Sequence, residues 1–129
     1  MGNVLIERLK NGTDLKKYII DLAKAKSIEA GVIVSSVGSL KELNIRLSDL
    51  STLHSKKKFE ILSLNGTLSK DRVHLHICVS DEEGKVLGGH LLTECIVDTT
   101  CELVIQILDA KFLSEFDENT GFNELKIIK

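Results

Sequence analysis

Residues 74–90, HLHICVSDEEGKVLGGH, alternate apolar and polar side chains on both sides of a short acidic run that ends in glycine. Alternation with a period of two is typical of β-strands with one buried face. A three-residue turn over residues 82–84, with Gly84 at positive φ, would join the two strands into a hairpin. This odd turn length places Val79 opposite Leu87 and collects the apolar side chains on one face, so the segment predicts an antiparallel hairpin.

The same register collects three of the four histidines on the other face of the hairpin. His76 would lie opposite His90, and His74 would lie one step further along that face. Gly88 and Gly89 leave the backbone bare beside them, which makes both glycines candidate ligand-binding positions. Three neutral imidazoles suit Zn²⁺ and leave a fourth coordination position for water or another ligand. The HxH…H spacing is loose, and by itself it leaves a metal site and an ordinary polar strand face equally open.

The composition is that of one globular domain, and we expect residues 1–129 to form a single domain. Hydrophobic residues make up 43% of the chain and aromatic residues only 4%, so the core should consist of Ile, Leu and Val. Seventeen basic and nineteen acidic side chains leave a net charge of −2. This balance argues against broad electrostatic capture of nucleic acid, which needs a basic excess to neutralise phosphates. The one basic run, residues 56–58, is more simply a solvated approach to a strand.

The three cysteines are Cys78, Cys95 and Cys101; they form no CxxC pair, and their odd number fits no disulfide framework. Because the sequence shows neither a signal-peptide pattern nor an apolar run of about 18 residues, we expect a cytoplasmic protein with free thiols and no membrane association. Cys78 shares the predicted histidine face. It would be either a soft fourth ligand or, as strand cysteines more often are, a small buried hydrophobic residue.

Outside the hairpin, the sequence predicts one main helix and several further strands. Thr13 or Asp14 can cap a helix whose apolar residues recur at three- and four-residue steps, and this helix should end within residues 27–31. Segments rich in β-branched and aliphatic residues precede and follow the hairpin, beginning with a short strand at Val4 and Ile6. We therefore predict an α+β domain with a central, mostly antiparallel sheet of about seven strands.

Four blocks of the chain, taken in order, resemble one known family: VGSLKELNIRL (37–47), FEILSLNGTLS (59–69), HLHICVSDEEGKVLGGHLL (74–92) and TGFNELKI (120–127). Together they are similar to the plants and prokaryotes conserved (PPC) domain in its stand-alone prokaryotic form. The resemblance implies a compact α+β fold with a central antiparallel sheet, packed as a homotrimer. It also implies a metal, usually zinc, held by the histidines at His74, His76 and His90.

The resemblance also draws attention to polar residues outside the hairpin. The family motif matches Arg46 with an arginine near the metal site, and Asn44 alternates onto the same strand face, so both are candidate ligand-binding residues. The planar fork of Arg46 could grip a carboxylate or a phosphate, or it could make a structural ion pair or a trimer contact. Glu60 or Glu102 could orient a metal-binding histidine through a hydrogen bond, although exposed strand glutamates are commoner than glutamates of that kind.

The function stays open between two classes. Plant members of the family join this domain to AT-hooks, basic arms that enter the DNA minor groove, whereas this chain has no proline and three arginines. One hypothesis is a trimeric metal-binding protein whose open zinc position accepts a small ligand or a water, with or without catalysis. The other is a DNA-associated or regulatory interaction module in which the metal is structural or incidental. The charge balance gives its DNA-binding form no support, and the sequence lacks the GxSxG, dinucleotide and Walker motifs of common enzyme classes.

Overall fold

The computed structural model describes residues 3–129, which form one α-helix and nine β-strands. In chain order the elements are β1 (Val4–Lys10), α1 (Leu15–Ala25), β2 (Gly31–Arg46), β3 (Thr52–Ser55), β4 (Phe59–Ser69), β5 (Arg72–Asp81), β6 (Val86–Leu91), β7 (Ile96–Ile107), β8 (Lys111–Asp117) and β9 (Phe122–Ile128). Seven strands form one sheet in the order β1-β7-β2-β4-β5-β6, with β3 beside β2, and β8 and β9 form a separate pair. All of these pairings are antiparallel, so the predicted α+β class with a seven-stranded antiparallel sheet and one helix is confirmed.

Strand β2 organises the sheet, because its 16 residues pair with four other strands. Its first part pairs with β4 and β7, and its last residues pair with β3 and, at Ile45 and Arg46, with β6. The register of β2 against β7 shifts at several points, and bulges of this kind bend a strand. The bend lets β2, β4, β5 and β6 close into a ring of hydrogen-bonded neighbours, in which β6 lies between β5 and β2.

Helix α1 packs one apolar stripe against the sheet. Asp14 caps the helix, because its carboxylate accepts a hydrogen bond from the backbone N–H of Lys17 at 3.1 Å. The same carboxylate accepts from the backbone N–H of Glu94, in the loop between β6 and β7, at 2.8 Å. The helix ends at Ala25, slightly before the predicted end, because Ser27 turns the chain with a φ of 49°. No helix in residues 3–129 is long and apolar enough to cross a membrane.

The core is aliphatic, as the composition predicts, and the inward face of β5 contributes to it strongly. Leu75, Ile77 and Val79 are each no more than 2% exposed. Burying such a side chain contributes about 1.5–3 kcal/mol. The inward face therefore anchors the hairpin and leaves the outward face free to carry polar groups.

The hairpin of β8 and β9 lies beside the start of β5. Ser69 Oγ donates a hydrogen bond to the Phe112 carbonyl oxygen at 2.8 Å, and Arg72 Nη2 donates to the Asn123 carbonyl oxygen at 3.4 Å. Phe112 is buried at this contact. The docking of β8 and β9 determines which side chains surround the outward face of β5.

Candidate metal centre

The hairpin of β5 and β6 has the register that the sequence predicts. His76 pairs with His90, and Val79 pairs with Leu87. Gly84 has a φ of 82° in the turn, and its N–H donates to the Asp81 carbonyl oxygen at 3.0 Å. The three-residue turn and the positive φ of Gly84 are therefore confirmed, and with them the face on which the histidines lie.

Three imidazoles converge on the outward face of this hairpin. The ring centroids of His74 and His76 lie 5.3 Å apart, those of His74 and His90 lie 5.3 Å apart, and those of His76 and His90 lie 5.8 Å apart. A ring nitrogen from each histidine lies within 4.8 Å of those of the other two. Nitrogens on a tetrahedral metal ion are about 3.4 Å apart, given metal–nitrogen bonds of about 2.0–2.1 Å. Modest side-chain rotations therefore bring all three nitrogens onto one ion.

Burial and neighbouring cations keep two of these imidazoles neutral. Burial lowers the pKa of His90 to about 4, with Arg46 and Lys16 adding to the effect. Burial, followed by the charge of Arg72, also lowers the pKa of His74. A neutral imidazole is the form that binds a metal ion, because a protonated ring has no lone pair to offer. At neutral pH both residues are therefore in the form that acts as a ligand.

The polar atoms of the histidine cluster are not all satisfied within the protein. His90 Nδ1 is buried and has no hydrogen-bond partner among residues 3–129, and burying such an atom unpaired costs about 1–3 kcal/mol. His76 is exposed, whereas His74 and His90 are half-buried, so the cluster opens to solvent on one side. This donor set and the unpaired nitrogen fit a metal ion held by three histidines, with a coordination position that faces solvent.

A cleft of about 390 Å³ adjoins the cluster. Arg46 pairs with His90 across β2 and β6, and both residues line the cleft. Arg72 of β5 and Glu124 of β9 line it as well. The structure thus places the predicted residue Arg46 beside the histidines. It adds Arg72 and Glu124, which sequence reasoning missed because the cleft exists only where β9 docks beside β5.

Gly88 and Gly89 have a structural explanation in the packing of β6. A Cβ at Gly88 would lie 2.5 Å from the Ile77 carbonyl oxygen, and a Cβ at Gly89 would lie 2.6 Å from the Arg46 carbonyl oxygen. Both distances are too short for a side chain, so the glycines let β6 pack tightly between β5 and β2. This packing is a structural reason for the two glycines, and it brings Arg46 next to His90; a ligand contact at either glycine stays a prediction.

The two glutamates proposed to orient a histidine do not reach the cluster. Glu60 is exposed near the other end of the β4–β5 pair, about 13 Å from His76 along the strands. Glu102 is exposed on β7, on the far side of β2. The carboxylate whose charge acts on His74 is that of Glu124. Alternation within a strand could not reveal the role of Glu124, because alternation does not show which distant strand lies beside β5.

Asn44 and Cys78 lie near the cluster but outside it. Asn44 Nδ2 donates to the Thr93 carbonyl oxygen at 2.9 Å, which holds the loop between β6 and β7 to β2. Cys78 pairs with Gly88 on the histidine face and is half-buried. Its sulfur is not among the groups that come together with the three imidazoles. Asn44 therefore supports the strands around the site, and Cys78 stays outside the group of three imidazoles.

A second group of metal-binding side chains lies further along the outward face of β2. It consists of Glu42, His54 and Glu94, and sequence reasoning did not single it out. His54 Nε2 lies 2.6 Å from Glu42 Oε2, and these side chains are 39% and 17% exposed. The imidazole therefore already has a carboxylate partner at Nε2, and we interpret His54 and Glu42 as a hydrogen-bonded surface pair.

Comparison with known sequences bears on the family of the chain. Residues 1–109 match the Plants and Prokaryotes Conserved (PCC) domain, the family abbreviated PPC above. Over 124 residues the chain is 40% identical to a bifunctional protein GlmU from Synechococcus, a match that covers 95% of this chain and 20% of that protein. The chain spans about a fifth of the length of the curated relatives it matches.

Several solved structures have the same fold. A hypothetical protein from Salmonella enterica is 33% identical, with a TM-score of 0.92 over 96% of this chain and 91% of that one. A candidate DNA-binding protein from Bacteroides thetaiotaomicron is 26% identical, with a TM-score of 0.87 over 98% and 93% of the two chains. A metal-containing protein from Archaeoglobus fulgidus is 27% identical, with a TM-score of 0.78 over 97% and 94%. With residues 1–109 matched and the fold shared, the chain belongs to the Plants and Prokaryotes Conserved (PCC) domain family, as its four sequence blocks predict.

Proposed function

We propose that this protein binds zinc through His74, His76 and His90 and keeps one coordination position open for water or a small ligand. The observation that carries this proposal is the convergence of three imidazoles, with His90 Nδ1 buried and unpaired. The lowered pKa values of His74 and His90 support it, because metal ligands must be neutral. The metal-containing relative from Archaeoglobus fulgidus supports it as well.

Each part of the chain has a distinct task in this proposal. The paired strands β5 and β6 hold the imidazoles on a sheet whose other face is anchored in the core. The exposed side of the cluster, at His76, admits water or a ligand, and the cleft beside His90 offers room for the rest of that ligand. Zinc, when bound, would supply a Lewis acid for a carbonyl or phosphoryl group, or lower the pKa of a bound water to about 7. Catalysis would require a ligand that carries such a carbonyl or phosphoryl group within reach of the zinc.

We propose a trimer as the functional assembly, as the family resemblance implies. Large apolar side chains on four strands are more than half exposed: Ile6, Val34, Val37, Leu62 and Val86. A single helix cannot cover the whole sheet, and identical subunits could bury this surface. The three cysteines are free thiols, which suits the reducing cytoplasm that we propose as the location.

A DNA-associated or regulatory module is the second candidate function. It is favoured by the description of the relative from Bacteroides thetaiotaomicron as a candidate DNA-binding protein. The net charge of −2 argues against it, because capture of nucleic acid needs a basic excess to neutralise phosphates. In this alternative the metal would hold the hairpin together and would bind no further ligand.

Zinc content and mass in solution test the proposal on protein purified without a histidine tag. We expect about one zinc per chain by elemental analysis and a trimer by light scattering. Chelator treatment should remove the zinc and leave the fold and the trimer in place, as read by circular dichroism and light scattering, and added zinc should rebind. Protein that takes up no zinc would contradict the proposal. Unfolding on chelation would favour the structural role of the second candidate.

A further inference from the structure

We propose that the cleft beside the histidine cluster binds a small organic anion whose carboxylate or phosphoryl oxygens are held by Arg46 and Arg72. The inference deepens the proposed function, because it assigns a chemical class to the ligand that approaches the metal position. It rests on the proposed function in one respect: the end of the ligand that does not contact the arginines would point towards His74 and His90. The arginine site itself requires no metal.

Both arginines line this cleft, and each has a nitrogen atom without a hydrogen-bond partner. Arg46 Nε and Arg72 Nη1 are buried, and neither has a hydrogen-bond partner among residues 3–129. The ion pairs among these residues involve lysine and histidine rather than arginine. A buried N–H of a charged group is costly to leave unpaired. An oxyanion, with several acceptor oxygens, would satisfy both nitrogens at once.

The fold fixes the backbone of Arg46 and the guanidinium group of Arg72 before any ligand arrives. Arg46 lies at the end of β2, where its backbone pairs with that of His90. Arg72 lies at the start of β5 and donates through Nη2 to the Asn123 carbonyl oxygen of β9 at 3.4 Å. Because these contacts hold each arginine near the cleft, binding would cost less conformational entropy than closing a mobile loop around the ligand.

The charge of the cleft favours an anion over a neutral ligand. Two of the chain's three arginines line it, and the carboxylate that lines it with them is that of Glu124. Two positive charges and one negative charge leave a local excess of +1, in a chain whose net charge is −2. The planar guanidinium fork matches the paired oxygens of a carboxylate or phosphate.

The remaining wall of the cleft fits an organic body on that anion. Val73 and Phe122 contribute apolar surface, and Phe122 is 53% exposed. The volume of about 390 Å³ lies at the small end of the range of ligand pockets. Both features favour a small metabolite-sized anion over a bare inorganic ion.

Nuclear magnetic resonance of the wild-type protein tests the site without any substitution. The chain has three arginines and so three side-chain Nε–H signals. The chelator-treated protein is titrated with phenyl phosphate, benzoate and inorganic phosphate in separate experiments. The signals of Arg46 and Arg72 should move and saturate, while that of Arg8 on β1, which donates to Thr100 Oγ1 on β7, should stay in place. Comparing phenyl phosphate with benzoate separates phosphoryl from carboxylate recognition.

Matched substitutions then measure the contribution of each arginine. Arg46→Gln and Arg72→Gln should each weaken binding of the better phenyl-bearing anion by about 10- to 100-fold. Arg8→Gln is the control, with unchanged affinity. Melting curves without ligand should show Arg46→Gln at least as stable as wild type, because it removes an unpaired buried donor. Arg72→Gln also loses the hydrogen bond to the Asn123 carbonyl oxygen and should melt slightly earlier. If a variant is too unstable to compare, the movement of that arginine's signal in the wild-type titration decides whether it contacts the anion.

The outcomes separate this inference from the proposed function. Saturable binding to the metal-free protein that depends on Arg46 and Arg72 supports the inference, even if the protein then fails to take up zinc. Absence of saturable binding for all three probes at millimolar concentration overturns it. Binding that requires zinc and is indifferent to both arginine substitutions also overturns it, because the anion then binds the metal alone, and the proposed function stands.

Discussion

Two clusters on the outward surface bring histidine together with other metal-binding groups, yet they differ in how far their polar atoms are satisfied. In the cluster of His74, His76 and His90, the Nδ1 atom of His90 is buried without a partner, and burial lowers the pKa of that ring to about 4. In the cluster of Glu42, His54 and Glu94, the His54 ring lies 2.6 Å from a carboxylate oxygen and is 39% exposed. Proximity of ligand atoms is common to both clusters.

The difference teaches that a candidate metal site is recognised by what it leaves unpaired. A metal ion at His54 Nε2 would first have to break the contact between that nitrogen and the Glu42 carboxylate, whereas a carboxylate on the other ring nitrogen of a histidine does not oppose metal binding. The first cluster brings three imidazoles together and leaves His90 Nδ1 buried without a partner, a cost that a metal ion bound at that atom would remove. We therefore expect substitutions in the two clusters to have very different effects on metal binding.

Substitution of a single histidine in each cluster should give the largest contrast. His76→Ala removes the ligand that faces His90 and neighbours His74, so zinc affinity should fall by more than about 100-fold. His54→Ala should leave zinc affinity unchanged. The measurements are zinc content and competition with a chelator, with thermal melting alongside. The fold and the trimer should survive in both variants, because Leu75 and its inward neighbours anchor β5 in the core.

Two outcomes would reverse this interpretation of the clusters. Full zinc content in His76→Ala would make the three histidines ordinary surface residues. Loss of zinc together with unfolding would make the metal structural and weaken the case for an open ligand position.

The backbone beneath the histidine cluster should be as sensitive as its side chains. Gly66 lies opposite Leu75 with a φ of 142°, and a Cβ there would lie 2.0 Å from the His74 carbonyl oxygen. Gly66→Ala should therefore lower the free energy of unfolding by about 3 kcal/mol or more and disturb the position of His74. Gly84→Ala is the matched control, because Gly84 also has positive φ but meets no atom within 4 Å. It should cost about 1–2 kcal/mol, as measured by chemical denaturation, and equal losses would refute the close-contact argument.

The metal-free protein should lose stability as the pH falls below neutrality. The pKa of His90 is about 4 in the folded protein and about 6.5 in an unfolded chain. Between about pH 6.5 and 4 the unfolded chain therefore binds more protons, and the free energy of unfolding falls as the pH falls. The His90 ring signal should titrate near pH 4 in the chelator-treated protein, and denaturation should require less denaturant at pH 5 than at pH 7. A titration midpoint of about 6.5 for His90 would show that burial does not lower its pKa, and would contradict this prediction.

The Glu42–His54 pair should contribute little to stability. Glu42→Gln breaks a partly exposed ion pair, and such pairs contribute less than about 1 kcal/mol. Thermal melting should therefore shift by a few degrees at most, and zinc content should stay at the wild-type level. A reduced zinc content in Glu42→Gln would place a metal in the second cluster and break the distinction drawn above.

DNA binding should be the weakest effect of all. With a net charge of −2, we expect sequence-independent binding with a Kd near or above about 10⁻⁴ M at physiological salt. Fluorescence anisotropy with AT-rich and GC-rich duplexes measures this directly. Sub-micromolar binding of the AT-rich duplex would make the DNA-associated function the leading one and the metal a structural element.

Much of the histidine cluster could be predicted from local sequence. The alternation in residues 74–90 admits one turn length that buries Val79 and Leu87 together, and that register also places His76 opposite His90. Burial of apolar side chains determines the face of a strand, because a shift of one residue would expose all of them. The helix cap at Asp14 and the turn at Gly84 follow from equally local rules.

The surroundings of the histidines were decided by the tertiary structure. Glu60 and Glu102 satisfied the face pattern, but β4 and β7 carry them away from the cluster. Glu124 and the unpaired nitrogen of Arg72 belong to the site because β9 docks beside β5, with a contact between residues 51 positions apart. Periodicity specifies the direction of a side chain along its own strand. Which distant strand lies alongside depends on the packing of the whole chain, and so do the charge and the unpaired atoms of the cleft.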